Sequence, residues 1–243
     1  MTSGVYSRTL TLKSRDVDMF RRLRTAELFR LLQEASIAHT EELGMGRHMT
    51  LDKGLLWIVT HQKAEIARMP EYDETITVRS WPGETMHLLF PRYYDVLGED
   101  GTPLIRASAL WALLDEKERK IVNPAEHGVV VSAAEEDASL DLPGLPPILP
   151  EISRETFTVP FSCIDLNGHM NNARYFDLAE NRIPAAAEGR RLTSVSAYYG
   201  TELRLRQKTV VTVGHEGDAW SVYGTAPEGG KPCFRLSFTY ENK

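Results

Sequence analysis

The chain has 243 residues, of which 42% are hydrophobic and 26% are charged, and its net charge is -6 at pH 7. This length fits one large domain or two smaller ones, and the composition is that of an ordinary globular protein, which excludes a disordered chain. The acidic balance argues against a nucleic-acid or anionic-membrane partner, and no apolar run approaches the roughly 20 residues of a membrane span.

The first half of the chain predicts a strand, a long helix and then four strands. The opening residues lack the basic and apolar segments of a secretory signal, so we expect a cytoplasmic protein. A strand near residues 5–12 precedes a helix over 25–43, which Thr25 can cap and Gly44 can end. The helix carries an apolar stripe of Leu28, Leu31, Leu32 and Ala35. Alternating and β-branched residues then predict an antiparallel sheet with strands near 56–66, 75–81, 87–96 and 104–114.

The same order of elements returns in the second half. A strand near residues 155–161 precedes a helix over 172–182, and four further strands are predicted near 192–205, 209–215, 219–225 and 233–240. Glu65 in the first half and Glu202 in the second stand at similar places in the corresponding long strands. We interpret this repeat as a duplicated domain.

A proline-rich segment separates the two halves. It contains Pro143, Pro146, Pro147 and Pro150. Because proline stiffens such a segment, we expect an extended connection. The sequence therefore predicts an N-terminal domain over residues 1–131, a linker over 132–152 and a C-terminal domain over 153–243.

Three functional side chains stand at alternate positions just before the second predicted helix. Asp165, Asn167 and His169 lie in this loop, and the helix cap is Asn171 or Asn172. Backbone N–H groups at a helix start can stabilise an oxyanion and keep a nearby histidine neutral. A neutral imidazole beside a carboxylate and an amide suits acid–base catalysis. These residue types also occur in tight loops that bond to their own backbone, so the residues alone leave a structural loop open.

The segment from Asp165 to Tyr175 resembles the signature of the acyl-ACP thioesterase family, in which Asp, Asn and His alternate ahead of a paired asparagine. The resemblance extends to residues 54–60 and 113–115, so it covers most of the chain. It implies an α+β fold of two tandem hotdog domains, each with a long helix packed on an antiparallel sheet. It also implies a thioester hydrolase of fatty acid biosynthesis that acts on fatty acyl chains held by acyl carrier protein.

The resemblance further implies a catalytic set. In this family an acidic residue on the long strand behind the helix joins the site, and Glu202 matches it, which gives Asp165, Asn167, His169 and Glu202. Some members carry a cysteine directly after that acid, but Leu203 stands there in this chain and excludes a Cys–His mechanism at that place. Cys163 is better explained as a buried thiol, because nothing around it in the sequence marks it as activated.

The first half has a corresponding loop over residues 15–22, but no asparagine or histidine follows Asp16 or Asp18 at the required spacing. We therefore expect this half to lack catalytic function and, by analogy with the family, to hold the acyl chain. Its candidate lining residues are Trp57, Trp81, Phe90 and Trp111. Taken singly, each of these aromatic side chains is more often plain core.

No cofactor or metal is implied by the sequence. It contains no phosphate loop, dinucleotide fingerprint, metal-binding histidine pair or nucleophile elbow. The two cysteines, Cys163 and Cys233, are too few and too widely spaced for a disulfide framework or a cysteine-based metal site.

The expected partner is acyl carrier protein, and a homodimer stays open. An acidic carrier needs a local basic patch, for which the candidates are Arg190, Arg191, Arg204, Arg206 and Lys208, or Arg21, Arg22 and Arg24 in the first half. An ordinary solvated charged surface is the alternative for both groups. Three other functions remain open, namely a hotdog thioesterase that uses acyl-CoA, a hotdog dehydratase of 3-hydroxyacyl thioesters and a non-catalytic acyl-binding module.

Overall fold

Each half of the chain folds into an antiparallel sheet with a helical segment between its first two strands in the computed structural model, which describes residues 4–241. The chain divides into two units. Unit 1 comprises residues 4–23 and 28–143, and unit 2 comprises residues 24–27 and 144–241. The boundary between Pro143 and Gly144 lies inside the segment predicted as a linker.

Unit 1 contains the strand, helix and four strands that the sequence predicts. These are β1 (Tyr6–Thr11), α1 (Thr25–Glu42), β2 (Leu55–Ile66), β3 (Thr75–Pro82), β4 (Leu89–Leu97) and β5 (Pro103–Asp115). The strands lie in the order β1-β3-β4-β5-β2, and each neighbouring pair is antiparallel. Gly44 follows α1 with a φ of 73°, which confirms it as the left-handed residue that ends the helix.

The core of unit 1 lies between α1 and its sheet. All residues of the predicted apolar stripe of α1 are buried, namely Leu28, Leu31, Leu32 and Ala35. A polar contact crosses this core, because the hydroxyl groups of Ser36 on α1 and Tyr94 on β4 lie 2.7 Å apart. The indole N–H of Trp111 on β5 donates to the same Tyr94 oxygen at 3.2 Å. The helix is thereby fixed on the sheet both by apolar packing and by satisfied buried hydroxyl groups.

Unit 2 repeats the connectivity of unit 1. Its elements are β6 (Glu151–Thr158), α2 (Arg174–Glu180), α3 (Pro184–Ala187), β7 (Leu192–Tyr199), β8 (Lys208–Glu216), β9 (Ala219–Thr225) and β10 (Phe234–Tyr240). The strand order is β7-β10-β9-β8-β6, again antiparallel throughout. Counted from the first strand of each unit, this is the same order as in unit 1.

The helical segment of unit 2 differs from the single helix predicted over residues 172–182. Helix α2 lies inside that range and is two residues shorter at each end. A separate short helix, α3, follows beyond the range, because Ile183 is extended, with φ of -97° and ψ of 109°. The ring of Pro184 disfavours a helical conformation of the residue before it. The long helix expected in this half is therefore replaced by two short ones.

Two strand boundaries also differ from the sequence prediction. Strand β6 begins at Glu151, before the predicted start at 155 and within the predicted linker. Strand β7 ends at Tyr199 instead of near 205, because the carbonyl of Cys233 accepts the N–H groups of both Gly200 and Thr201, at 2.8 and 2.9 Å. The regular ladder with β10 cannot continue past this shared acceptor.

The remaining linker residues, 132–150, form no helix or strand. The N–H of Ala134 donates to the carbonyl of Pro82 at 3.0 Å, and the hydroxyl of Ser108 donates to the carbonyl of Asp141 at 2.7 Å. The first part of the connection therefore runs along the sheet of unit 1. Within residues 4–241, no helix has the length and apolar character of a membrane-spanning segment.

Replacing Phe176 with alanine should test the core of unit 2. Phe176 is 0% exposed and packs edge-to-face on Phe238 with ring centroids 6.4 Å apart. Loss of the ring leaves a cavity, so we expect the free energy of unfolding in urea to fall by about 3–5 kcal/mol. Phe161→Ala is the matched control, because this ring is 80% exposed and its loss should change the value by less than about 0.5 kcal/mol. Equal effects would contradict this assignment of the core.

Candidate functional site

The candidate site begins with a tight turn between β6 and α2. Ile164 and Met170 form an isolated antiparallel bridge at its base. The N–H of Asp165 donates to the carbonyl of His169 at 2.9 Å, and the N–H of Gly168 donates to the carbonyl of Asp165 at 3.1 Å. Gly168 has a φ of 79°, which glycine adopts without steric cost. The turn thereby makes Asp165 and His169 neighbours.

Both carboxylate oxygens of Asp165 accept hydrogen bonds. Oδ1 accepts the N–H of Asn167 at 2.9 Å, and Oδ2 accepts the side-chain amide of Asn171 at 3.4 Å. The Asp165 side chain is half-buried, whereas Asn167 is exposed. The carboxylate is therefore held in one orientation, and the amide of Asn167 stays accessible from solvent.

Asn171 links Asp165 to the start of α2, a role that the sequence analysis did not assign. Its Oδ1 accepts the N–H of Ala173 at 3.0 Å, and its backbone carbonyl accepts the N–H of Arg174 at 2.9 Å. The residue directly before α2 is Ala173, without a side-chain cap, so neither Asn171 nor Asn172 is the predicted helix cap. Asn171 instead closes the turn that leads into the helix. The paired asparagines of the motif were the available signal, but the sequence cannot show that the amide nitrogen turns back to Asp165.

The expected oxyanion site at the start of α2 is not open. The N–H groups of Ala173 and Arg174 are bonded to Asn171, and those of Tyr175 and Phe176 donate to carbonyls of the same turn. An N–H group that already has a close acceptor contributes little to binding a further oxygen. The exposed side-chain amide of Asn167 can donate to a substrate carbonyl instead.

His169 is paired with Glu202. Nε2 of His169 lies 3.0 Å from Oε2 of Glu202, and the two side chains are 15% and 37% exposed. A carboxylate at one ring nitrogen fixes the orientation of an imidazole and stabilises its positive charge. The pair is partly accessible to solvent, so it can meet a bound substrate.

Glu202 does not lie on a strand, contrary to the prediction. It belongs to the irregular segment after β7, which the N–H of Met170 anchors by donating to the carbonyl of Leu203 at 2.8 Å. Leu203 is fully buried, and its backbone also hydrogen-bonds the buried hydroxyl of Tyr175. These contacts bring Glu202 to His169. The structure thus pairs His169 with Glu202 and places Asp165 and Asn167 in the same turn as His169.

The Cys163 thiol lies beside this turn without features of an activated nucleophile. Burial raises the pKa of Cys163, and the charge of Arg174 offsets this only in part. A raised pKa leaves less thiolate at neutral pH, and the thiolate is the reactive form. Among residues 4–241, no group of three or more His, Cys, Asp or Glu side chains has the arrangement of a metal site.

Unit 1 contains the same turn with different side chains. Oδ1 of Asp18 accepts the N–H of Phe20 at 2.8 Å, and the N–H of Asp18 donates to the carbonyl of Arg22 at 2.8 Å. The N–H of Arg21 donates to the carbonyl of Asp18 at 3.0 Å, and Arg21 has a φ of 65°. Each of these features matches the turn that contains Asp165.

The backbone match identifies what replaces each candidate catalytic residue in unit 1. Asp18 corresponds to Asp165, so Phe20 stands in the place of Asn167 and Arg22 in the place of His169.

The acidic residue of the site also has an apolar counterpart in unit 1. The N–H of Leu23 donates to the carbonyl of Pro70 at 2.8 Å, as that of Met170 does to Leu203. Met69 therefore corresponds to Glu202. The sequence analysis had matched Glu65 with Glu202, and that register is wrong.

A cavity of about 210 Å³ lies within unit 1, beside α1. Its wall is mostly apolar and includes Ile37, Leu51, Trp57, Phe90, Pro91 and Trp111. The rings of Trp57 and Phe90 meet edge-to-face with centroids 4.8 Å apart. Trp81, the fourth aromatic candidate, is instead a core residue with 1% exposure and does not line the cavity.

Comparison with protein families gives two matches. Residues 3–128 match the acyl-ACP thioesterase N-terminal domain, and residues 149–222 match the acyl-ACP thioesterase C-terminal domain.

Curated plant proteins are also similar to the chain. It is 27% identical to an acyl-[acyl-carrier-protein] hydrolase of Cuphea viscosissima over 88% of the chain and 57% of that protein. It is 24% identical to a dodecanoyl-[acyl-carrier-protein] hydrolase of Cinnamomum camphora over 82% of the chain and 56% of that protein. Both plant proteins are named as chloroplastic. The chain spans little more than half the length of these relatives.

Solved structures share the fold. An acyl-ACP thioesterase from Bacteroides thetaiotaomicron superposes with a TM-score of 0.87 at 20% identity and 98% coverage of both chains. The 12:0-ACP thioesterase from Umbellularia californica gives a TM-score of 0.83 at 19% identity, over 100% of this chain and 99% of the other. The prediction of an α+β fold of the hotdog type is thereby confirmed.

Proposed function

The chain belongs to the acyl-ACP thioesterase family, and we propose that it hydrolyses fatty acyl thioesters of acyl carrier protein and releases the free fatty acid. The observation that carries this proposal is the meeting of His169 and Glu202, 3.0 Å apart, beside the turn that orients Asp165. A carboxylate-paired imidazole next to a second, fixed carboxylate has the chemistry that thioester hydrolysis requires.

In the proposed mechanism, the exposed amide of Asn167 donates to the thioester carbonyl oxygen, where negative charge develops. Asp165 either attacks the carbonyl carbon, which gives a transient anhydride that water then hydrolyses, or orients a water that His169 or Glu202 deprotonates. The carbon–sulfur bond breaks in either route. In the water route, the proton that His169 or Glu202 takes from water returns to the leaving thiolate. In the anhydride route, the thiolate takes a proton from solvent, and His169 later deprotonates the water that hydrolyses the anhydride. Glu202 stabilises the imidazolium between these steps.

Substitutions at the proposed site should reduce turnover without unfolding the protein. We expect Asp165→Asn, His169→Ala and Glu202→Gln each to lower kcat/KM by roughly 100-fold to 10,000-fold, because each removes a charge or a proton-transfer group. The measurement is release of free thiol from acyl-ACP, with thermal unfolding recorded for each variant.

The matched control is Cys163→Ala, which should keep near-normal turnover because burial disfavours the thiolate. Combining Asp165→Asn with Glu202→Gln should cost less than the product of the single losses, since residues that act as a unit are not additive. If Asp165→Asn retained activity while Cys163→Ala lost it, the site would belong to a cysteine nucleophile and this mechanism would fail.

We also propose that unit 2 is catalytic and that unit 1 holds the acyl chain. Phe20, Arg22 and Met69 cannot perform the chemistry assigned to Asn167, His169 and Glu202 at the matching positions. Unit 1 instead has the mostly apolar cavity lined by Trp57, Phe90 and Trp111. Apolar cavities with few polar groups are typical sites for small apolar ligands.

Exchange of residues 1–128 with those of a family member of different chain-length preference should transfer that preference. The physical reason is that the size and shape of the cavity in unit 1 limit the acyl chain that fits. Rates are compared across acyl-ACPs of increasing chain length. The reciprocal exchange of residues 155–243 is the control and should leave the preference unchanged. A preference that travels with residues 155–243 would refute the assignment.

The carrier is proposed to dock on the basic group Arg204, Arg206 and Lys208. All three side chains are exposed, and within residues 4–241 no carboxylate forms an ion pair with them. Arg204 also forms a backbone bridge with His169, so this group adjoins the site.

The other basic candidates of unit 2 are already neutralised. Arg190 pairs with Asp218 at 3.4 Å, and Arg191 pairs with Glu241. An arginine that is held by its own carboxylate has less attraction left for an acidic carrier.

Reversing these charges with Arg204→Glu, Arg206→Glu and Lys208→Glu should raise KM for acyl-ACP and leave small acyl thioesters unaffected. Exposed charges act through solvent, so added salt should raise KM of the unmodified protein in the same way. Lys231→Glu, in the exposed turn after β9, is the control. Equal loss on both substrates would exclude docking at this group, and equal kcat/KM for acyl-CoA and acyl-ACP would favour a thioesterase that uses CoA.

A further inference from the structure

The cavity of unit 1 contains a buried cation in its mostly apolar wall. Arg92 on β4 lines this cavity and is only 6% exposed. One terminal nitrogen, Nη1, donates to Nδ1 of His39 at 3.0 Å and to Oγ of Ser80 at 3.1 Å. The other, Nη2, donates to Oγ1 of Thr40 at 3.3 Å. All three partners are neutral acceptors in these contacts.

Arg92 has no carboxylate partner within residues 4–241. Burial raises the pKa of the Tyr94 phenol, which is hydrogen-bonded to Ser36 and Trp111, so this group stays neutral and supplies no counter-charge. Burial lowers the pKa of Arg92, which reflects the cost of removing its charge from water. A buried charge is normally paired with an opposite charge. Arg92 has only neutral partners, so an anionic ligand in the cavity could supply the missing negative charge.

The second arginine of the cavity wall provides a contrast. Arg47 is exposed, and its Nε lies 3.1 Å from Oδ1 of Asp52. Its charge is exposed to solvent and paired with Asp52, so Arg47 gains little from a bound anion. Of these two arginines, Arg47 has a carboxylate partner and Arg92 has none within residues 4–241.

Most of the remaining wall is apolar and suits an apolar ligand body. Its carboxylate, Glu41, is exposed and accepts the N–H of Arg47 at 2.7 Å. Ile37, Trp57, Phe90 and Trp111 all line the same space as Arg92. An uncharged alkyl chain can pack against this wall, but it leaves the guanidinium of Arg92 with neutral partners alone. A chain with an anionic end satisfies both the apolar wall and the guanidinium, whose planar donors match a carboxylate.

We infer that the cavity of unit 1 binds an aliphatic carboxylate, with its chain against the aromatic wall and its carboxylate on Arg92. The inference extends the proposed function, because a released fatty acid and an acyl chain with a terminal carboxylate are its two sources. Arg92 acts here as a binding residue, in addition to the hydrogen bonds by which it joins His39 and Thr40 on α1 to Ser80 on β3.

The test measures binding without turnover. Quenching of tryptophan fluorescence follows titration of the protein with dodecanoate and, separately, with 1-dodecanol, which has the same chain and no charge; Trp57 and Trp111 in the wall report on occupancy. We expect dodecanoate to bind at least roughly tenfold more tightly, the difference expected of a hydrogen-bonded ion pair in a buried site. Equal affinities for the two ligands in the unmodified protein would overturn the inference without any variant.

Arg92→Gln keeps hydrogen-bonding capacity and removes the charge. It should abolish the preference for dodecanoate while changing the affinity for 1-dodecanol little, and Arg47→Gln should leave the preference intact. A preference that survives in a folded Arg92→Gln variant would show that Arg92 only joins α1 to the sheet. If this variant does not fold, the comparison of the two ligands in the unmodified protein decides.

A kinetic arm separates the two sources of the carboxylate. The N-acetylcysteamine thioester of dodecanedioate is compared as a substrate with that of dodecanoate. A lower KM for the first that Arg92→Gln removes would support a terminal carboxylate on the acyl chain. Inhibition by free dodecanoate that Arg92→Gln relieves, with equal KM values, would support the released product. Because binding is measured independently of hydrolysis, an inactive protein that still prefers dodecanoate would refute the proposed function and leave this inference standing.

Discussion

The hydrogen bond from the N–H of Asp165 to the carbonyl of His169 is the constraint on which the candidate site depends. It closes a turn in which Gly168 must be left-handed, and it sets the Asp165 carboxylate where Asn167 and Asn171 both donate to it. In a fully extended segment, Asp165 and His169 would share one face but lie roughly 13 Å apart along the chain. The turn therefore converts a spacing in the sequence into a cluster of functional groups.

Unit 1 contains the same backbone turn as the candidate site but different side chains on it. The turn at Asp18 has the same backbone hydrogen bonds and the same left-handed position, which Arg21 occupies. A left-handed arginine is strained relative to glycine, so unit 1 retains the turn at some cost. What changed is the set of side chains on it. The backbone geometry of the turn is therefore independent of the imidazole and the acid, which agrees with the proposed assignment of acyl binding to unit 1.

Local chemistry made most elements predictable. Helix α1 was found correctly because its apolar stripe and Gly44 agree with one another. The helix predicted over residues 172–182 was two residues too long at each end, and the short helix after Pro184 was not predicted. The cavity position of Arg92 could not be predicted at all, because an arginine in an alternating strand is expected on the solvent face.

The error at Glu202 has a different origin, and it falls at the site itself. The sequence alternates through Leu203, so local pattern alone predicts that β7 continues to this point. In the structure, the carbonyl of Cys233, directly before β10, accepts two N–H groups and ends the ladder after Tyr199. Release from the ladder lets this segment turn, bury Leu203 and bond it to Met170. If Glu202 lay in a regular strand, the alternation of the strand would set the orientation of its side chain, whatever the position of His169. The departure from regular strand geometry is thus what brings Glu202 to His169, and such departures from local preference are expected at candidate functional sites.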